Sequence, residues 1–127
     1  MAIELDHLIL AVSDRQASLD FYTTVLGLDH EGDDGSFAVL RVSPRFVILI
    51  APWGTKGGEH LAFAMTRAEF EATFARIREA GIEYGDSFHA VGNMRGPGEE
   101  AGAEGMGKAL YFFDPSKHLI EIRHYEG

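Results

Sequence analysis

Residues 3–12, IELDHLILAV, are dominated by branched apolar side chains and predict a strand. Ser13, with Gln16 three places later, supplies a helix-starting pair. Leu19, Tyr22, Val25 and Leu26 then recur at the spacing of one helical face. Gly27 ends that helix. Three short apolar stretches follow: around Leu28, at SFAVLRV (36–42) and at RFVILIA (45–51). The order is strand, helix, three strands.

The second half repeats it. HLAFAM (60–65) reads as a strand, Thr66 and Glu69 form another capping pair, and Phe70, Phe74 and Ile77 supply the helical spacing up to Ala80-Gly81. Further strands are predicted at 82–84, 109–113 and 118–124. Laying His7 on His60 superposes HLILAVSDRQASLDF on HLAFAMTRAEFEATF, and SPRFVILI (43–50) falls on SKHLIEIR (116–123). The chain therefore reads as a single domain, 1–127, of two βαβββ modules at about 1–52 and 58–125, joined by APWGTKGG (51–58).

One helix covers one face of a four-stranded sheet, so the other face must meet something else. Paired edge to edge, within one chain or between two, the modules give an α+β fold. It is a curved mixed sheet or incomplete barrel with the helices on the outside and a concave side for a small ligand.

Strand alternation assigns the faces. Leu8, Leu10 and Val12 turn toward the first helix, which sends His7, with Leu5, Ile9 and Ala11, to the concave side. His60, Ala62 and Ala64 fall on the corresponding side of their strand, opposite Leu61, Phe63 and Met65. On the last strand Glu121 shares a side with Leu119 and Arg123, while Ile120 and Ile122 face the helix, with His118 and His124 on that same side. Two imidazoles and a carboxylate thus converge on one surface.

A lone strand histidine is more often a hydrogen-bonded packing residue than a ligand. A buried carboxylate is costlier and needs a proton, a cation or a metal, so Arg123 is the structural alternative for Glu121. Together, His7, His60 and Glu121 suit a divalent first-row ion that keeps positions open for substrate, whether Fe, Mn, Zn, Ni or Co.

Composition narrows the partners. There is no cysteine, which excludes disulfides and thiolate metal sites. The net charge of −9 repels polyanions, so nucleic acid is not an expected partner, and EGDD (31–34) reads as solvated surface. FVILIAP is too short to span a bilayer, and the N-terminus lacks the pattern of a secretion signal. A cytoplasmic protein with no membrane partner is expected.

These residues, DHLILAVSDRQASLDFYTTVLGL (6–28), EHLAFAM (59–65) and YFFDPSKHLIEIRHY (111–125), resemble the vicinal oxygen chelate superfamily of glyoxalases, extradiol dioxygenases, fosfomycin-resistance enzymes and bleomycin-binding proteins. The resemblance implies that His7, His60 and Glu121 occupy metal-ligand positions. A small substrate would then bind through two neighbouring oxygens, for dioxygenase, lyase or isomerase chemistry. Tyr111, Arg123 and His89 are the candidate catalytic groups around such a centre, and the open sheet edges and half-built cup favour a homodimer.

Glyoxalases carry a fourth ligand at the end of the first module's last strand. The repeat places that position at Ile48, so the full four-ligand set is absent. Arg95 against Glu99, Glu100 and Glu104 disfavours a phosphonate substrate. The superfamily's DPDG turn is present as Asp114-Pro115-Ser116-Lys117, without its glycine. A metal-free, antibiotic-binding protein of the bleomycin-resistance kind is the alternative. The glycine-rich segment 85–108 reads either as a lid over the ligand or as a disordered surface excursion.

Overall fold

In the computed structural model, which describes residues 2–127, the first strand is shorter than its apolar run. β1 covers His7–Ala11, and its alternation is the expected one: His7 and Ile9 exposed, Leu10 buried. The helix α1 spans only Arg15–Asp20. Its cap is Asp14, not Ser13: the Asp14 carboxylate accepts the Ala17 N–H, while the Ser13 hydroxyl donates to the Thr55 carbonyl at 2.9 Å. The residue one position closer to the first turn wins the cap. The helix then widens into a π turn at Phe21–Val25, where Thr23 and Thr24 hydroxyls bond back to the carbonyls of Leu19 and Asp20. Gly27, at φ 78°, ends it in the left-handed conformation.

β2 (Asp29–Asp34), β3 (Phe37–Ser43) and β4 (Phe46–Ala51) complete a sheet ordered β1-β4-β3-β2, with β1 parallel to β4 and the other pairs antiparallel. EGDD is exposed, yet it lies within β2. Glu31 pairs with Arg41 at 3.0 Å, and Asp33 pairs with Arg15 at 2.6 Å. Such a charged strand at the sheet margin resists pairing with another chain.

Chain contacts divide the protein into two units, one ending at Lys56 and one spanning Gly57–Gly127. In the second unit, β5 (His60–Ala64) leads into α2 (Arg67–Glu79), capped by Thr66, whose hydroxyl accepts the Glu69 N–H. β6 (Tyr84–Gly85), β7 (Gly98–Gly102), β8 (Gly105–Phe113) and β9 (Leu119–His124) follow. The sheet order is β5-β9-β8-β6, the same winding as in the first unit, and neither sheet closes on itself. Each unit buries its own core on the helix side. Leu10, Val12, Tyr22, Leu40 and Ile50 fill one, and Phe70, Ile77, Leu110, Ile120 and Ile122 fill the other. Each such side chain contributes roughly 1.5–3 kcal/mol through burial.

Segment 85–108 is not one long loop. β7 pairs antiparallel with the start of β8, from Gly98 opposite Ala109 to Gly102 opposite Gly105. β6 pairs with the far end of β8 along the same edge, opposite β9. Together β6 and β7 stand where the first unit has the single strand β2, split by residues 86–97. GEEAG has no apolar alternation to announce a strand, because its pairing and its glycines carry the structure. A Cβ on Gly102 would lie 2.4 Å from the Arg123 guanidinium carbon, so the glycine is where β7 admits Arg123.

In the β8–β9 turn, Asp114 Oδ1 accepts the N–H groups of Ser116 (2.9 Å) and His118 (2.8 Å). Lys117 sits at φ 68°, the left-handed region that the missing glycine would occupy without strain. Lys117→Gly is expected to raise stability by about 0.5–1 kcal/mol. A urea-denaturation midpoint unchanged or lower in the variant would contradict it.

Candidate functional site

The parallel pairing of β5 and β9 sets His60 opposite Leu119 and Ala62 opposite Glu121. His60 and Glu121 therefore point to one side from neighbouring strands, one pleat apart. The His60 Nε2 lies 2.9 Å from Glu121 Oε1, and the imidazole is 47% exposed while the carboxylate is only 7% exposed. On the same face two residues on, Arg123 Nη1 donates to Glu121 Oε2 at 2.5 Å. Antiparallel pairing places Tyr111 on β8 directly opposite Glu121. Its ring lies 6.2 Å from that of His60.

Isolated, the Glu121 carboxylate would cost several kcal/mol at this burial, roughly, but His60 and Arg123 satisfy one oxygen each. Burial, then the charges of Glu121 and Glu100, push the Tyr111 phenol up to about 12. Tyr111 thus remains a hydrogen-bond donor throughout the ordinary pH range.

Arg123 is itself held. Its Nη2 donates to the Glu100 carbonyl at 2.8 Å, its Nη1 also reaches the Ala101 carbonyl at 3.4 Å, and its guanidinium carbon stands 4.8 Å from the Tyr125 ring centre. Burial opposes its charge, but the hydrogen bond and charge of Glu121 more than offset that and raise its pKa. The carbonyls of β7, Gly102 and Tyr125 are the supporting groups that sequence reasoning missed. The glycines at 102 and 107 inside strands are the signal for this close approach.

His7 lies in the other unit. Its Nδ1 meets Asp6 Oδ2 at 2.7 Å, an arrangement that leaves Nε2 as the outward nitrogen with a lone pair. Among the described residues no three His, Cys, Asp or Glu side chains gather in one place. His89 is exposed, and its contacts are local: the Ser87 hydroxyl at 3.0 Å from Nδ1 and the Phe88 ring at 4.8 Å. His118 and His124 are buried on the helix side, His118 accepting the Glu59 N–H and His124 packing against Phe70.

The repeat needs one correction. His7 pairs with Val47 as His60 pairs with Leu119, so the counterpart of Glu121 is Leu49, not Ile48. Ile48 is buried on the helix side, whereas Leu49 is half-buried on the side of His7. Across the hairpin, Val39 faces Leu49 as Tyr111 faces Glu121. Ala51 likewise stands where Arg123 does. The first unit thus keeps the histidine and replaces its three companions with apolar residues.

His60 Nε2 and Glu121 Oε1 meet at 2.9 Å, where a cation would bind both. They are a nitrogen and an oxygen donor of the kind first-row ions take.

The family model described as the Glyoxalase/Bleomycin resistance protein/Dioxygenase superfamily matches residues 4–122. Glutathione transferase FosA of Serratia marcescens is 27% identical over 96% of this chain and 81% of its own length. Virulence protein STM3117 of Salmonella typhimurium is 29% identical over 95% of the chain and 83% of its own. Its crystal structure superposes with a TM-score of 0.77, covering 99% of both chains. The structure of Oxidase ChaP-H1 gives a TM-score of 0.81 at 29% identity, over 98% of each chain. With the βαβββ unit present twice and the family match spanning nearly all of it, this chain belongs to the glyoxalase/bleomycin resistance protein/dioxygenase superfamily.

Proposed function

We propose that this protein is a divalent-metal-dependent enzyme acting on a small molecule with two neighbouring oxygens, with dioxygenase-like or lyase/isomerase-like chemistry. The observation that carries this reading is the His60–Glu121 pair, a half-exposed imidazole against a buried carboxylate at 2.9 Å on an open strand face. Relatives whose names are transferase and oxidase support an enzymatic role. His60, Glu121 and His7 would hold the ion. When bound, it supplies Lewis-acid charge for a chelating substrate. Arg123 orients Glu121, while Tyr111, a phenol throughout the ordinary pH range, donates to a substrate oxygen. The working unit is a homodimer. Ile3 and Leu5, exposed ahead of β1, and Ile9, exposed on it, support it, since exposed apolar side chains favour a partner copy.

Elemental analysis of protein purified with and without air should find about one divalent metal per chain. Folded protein that stays metal-free when offered Fe, Mn, Ni, Co and Zn would falsify the reading. The Arg123–Glu121 ion pair favours one rival, a metal-free binding protein in which the arginine alone neutralises the carboxylate. That rival requires ligand affinity to be indifferent to chelator.

A further inference from the structure

On the helix side of the second sheet, away from Glu121, α2, β8 and the end of β9 line an open cavity of about 490 Å³. Its floor is aromatic. Phe70 meets His124 edge to face at 4.9 Å and Phe74 at 6.4 Å. Its rim is cationic: Arg67, Arg78 and Lys108 line it beside one acidic side chain, Glu71, and Gly127, whose carbonyl accepts from Arg67 Nη1 at 3.2 Å, in a chain whose net charge is −9.

Two of these cations have acidic partners. Arg67 lies 3.5 Å from Glu71, and Lys108 pairs with Glu99. Arg78 stands 4.0 Å over the Phe74 ring and has no carboxylate partner among the described residues. His124 adds a second group. It is 4% exposed and its Nδ1 accepts the Glu126 N–H at 3.2 Å, so the ring proton sits on Nε2. The cavity is lined by that ring and by a guanidinium without a carboxylate partner, and together they favour an acceptor that carries negative charge. The Phe70 and Phe74 rings call for a flat apolar body behind it.

We propose that this cavity is a second ligand site, separate from the His60–Glu121 pair, for a small aromatic carboxylate. The carboxylate is held by Arg78, Lys108 and the His124 Nε2–H, and the ring lies on Phe70 and Phe74. The volume is in the range of natural small-molecule pockets. The site lies wholly within the second unit, so it does not depend on how the two units pair.

The probe is 2-naphthoate, titrated into full-length protein in chelator and followed by backbone amide shifts. The controls are 2-naphthalenemethanol, which lacks the charge, and inorganic phosphate, which lacks the ring. Shifts are expected along α2 and at the end of β9, with binding at least about tenfold tighter than for either control. Arg78→Gln should weaken it by about tenfold, Lys108→Gln should weaken it as well, and His60→Ala should leave it unchanged. Both glutamine variants replace rim side chains, and their amide spectra report that the fold is kept. The proposal is overturned if the alcohol or phosphate binds as well as the acid, if neither glutamine variant weakens binding, or if binding is lost in His60→Ala.

Discussion

Arg123→Ala is expected to destabilise the metal-free protein by about 3 kcal/mol, among the largest effects of any single substitution in the chain. The side chains of Arg123 and Glu121 are 4% and 7% exposed, and they meet at 2.5 Å. Removing the guanidinium strands a buried carboxylate with only the His60 contact. It also frees the Glu100 and Ala101 carbonyls that Arg123 holds, so β7 loses its tie to β9. The loss is asymmetric: breaking one partner leaves an uncompensated buried charge, whereas replacing both with apolar residues of similar volume is nearly neutral.

Glu121→Leu combined with Arg123→Met should therefore recover most of the stability lost in Arg123→Ala, and urea midpoints in chelator read both. A single variant within about 0.5 kcal/mol of the parent, the range of an ordinary surface change, would show that the pair is not closed off from water. The cavity left by alanine contributes as well. Arg123→Met separates the two effects by keeping the volume while removing the charge.

The pairing of His60 with Glu121 was legible from letters alone because strand alternation has a period of two and the repeat supplies the phase. Leu8, Leu10 and Val12 had to face a helix, which put His7 on the other side. Ile120 and Ile122 did the same for Glu121. The fourth-ligand position was misplaced for a physical reason. The β3–β4 hairpin closes with Ser43 opposite Phe46, the β8–β9 hairpin with Phe113 opposite Leu119. The second loop is longer, so a gapless superposition of the modules slips by one residue. A slip of one exchanges the faces of a strand, which turned half-buried Leu49 into buried Ile48. The absence of a fourth donor survives the correction, because both residues are apolar.

The Arg123 cradle was not legible for a different reason. Its partners are main-chain carbonyls on a strand of glycine and glutamate. Nothing in side-chain periodicity records a hydrogen bond made by backbone. Asp14 displacing Ser13 as helix cap is a smaller case. Both can cap, and only the position of the first turn decides between them.

His60→Ala and His7→Ala should each abolish divalent-metal uptake, with a loss of affinity of at least about a hundredfold per ligand removed, while the fold is kept. The His60 side chain is 47% exposed and gives up only its bond to Glu121, so its loss costs about 1 kcal/mol of stability. His7 is more exposed still and bonds only to a neighbouring aspartate, so its removal costs less. Metal uptake that persists in His60→Ala defeats the ligand assignment. The two variants also reveal which copy supplies His7. If His7 of one chain serves His60 and Glu121 of another, mixing the variants and allowing subunit exchange rebuilds one intact site in every mixed dimer. About a quarter of the parental metal content then returns, since half of the dimers are mixed. If His7 serves its own chain, every site in the mixture still lacks a ligand and no metal returns.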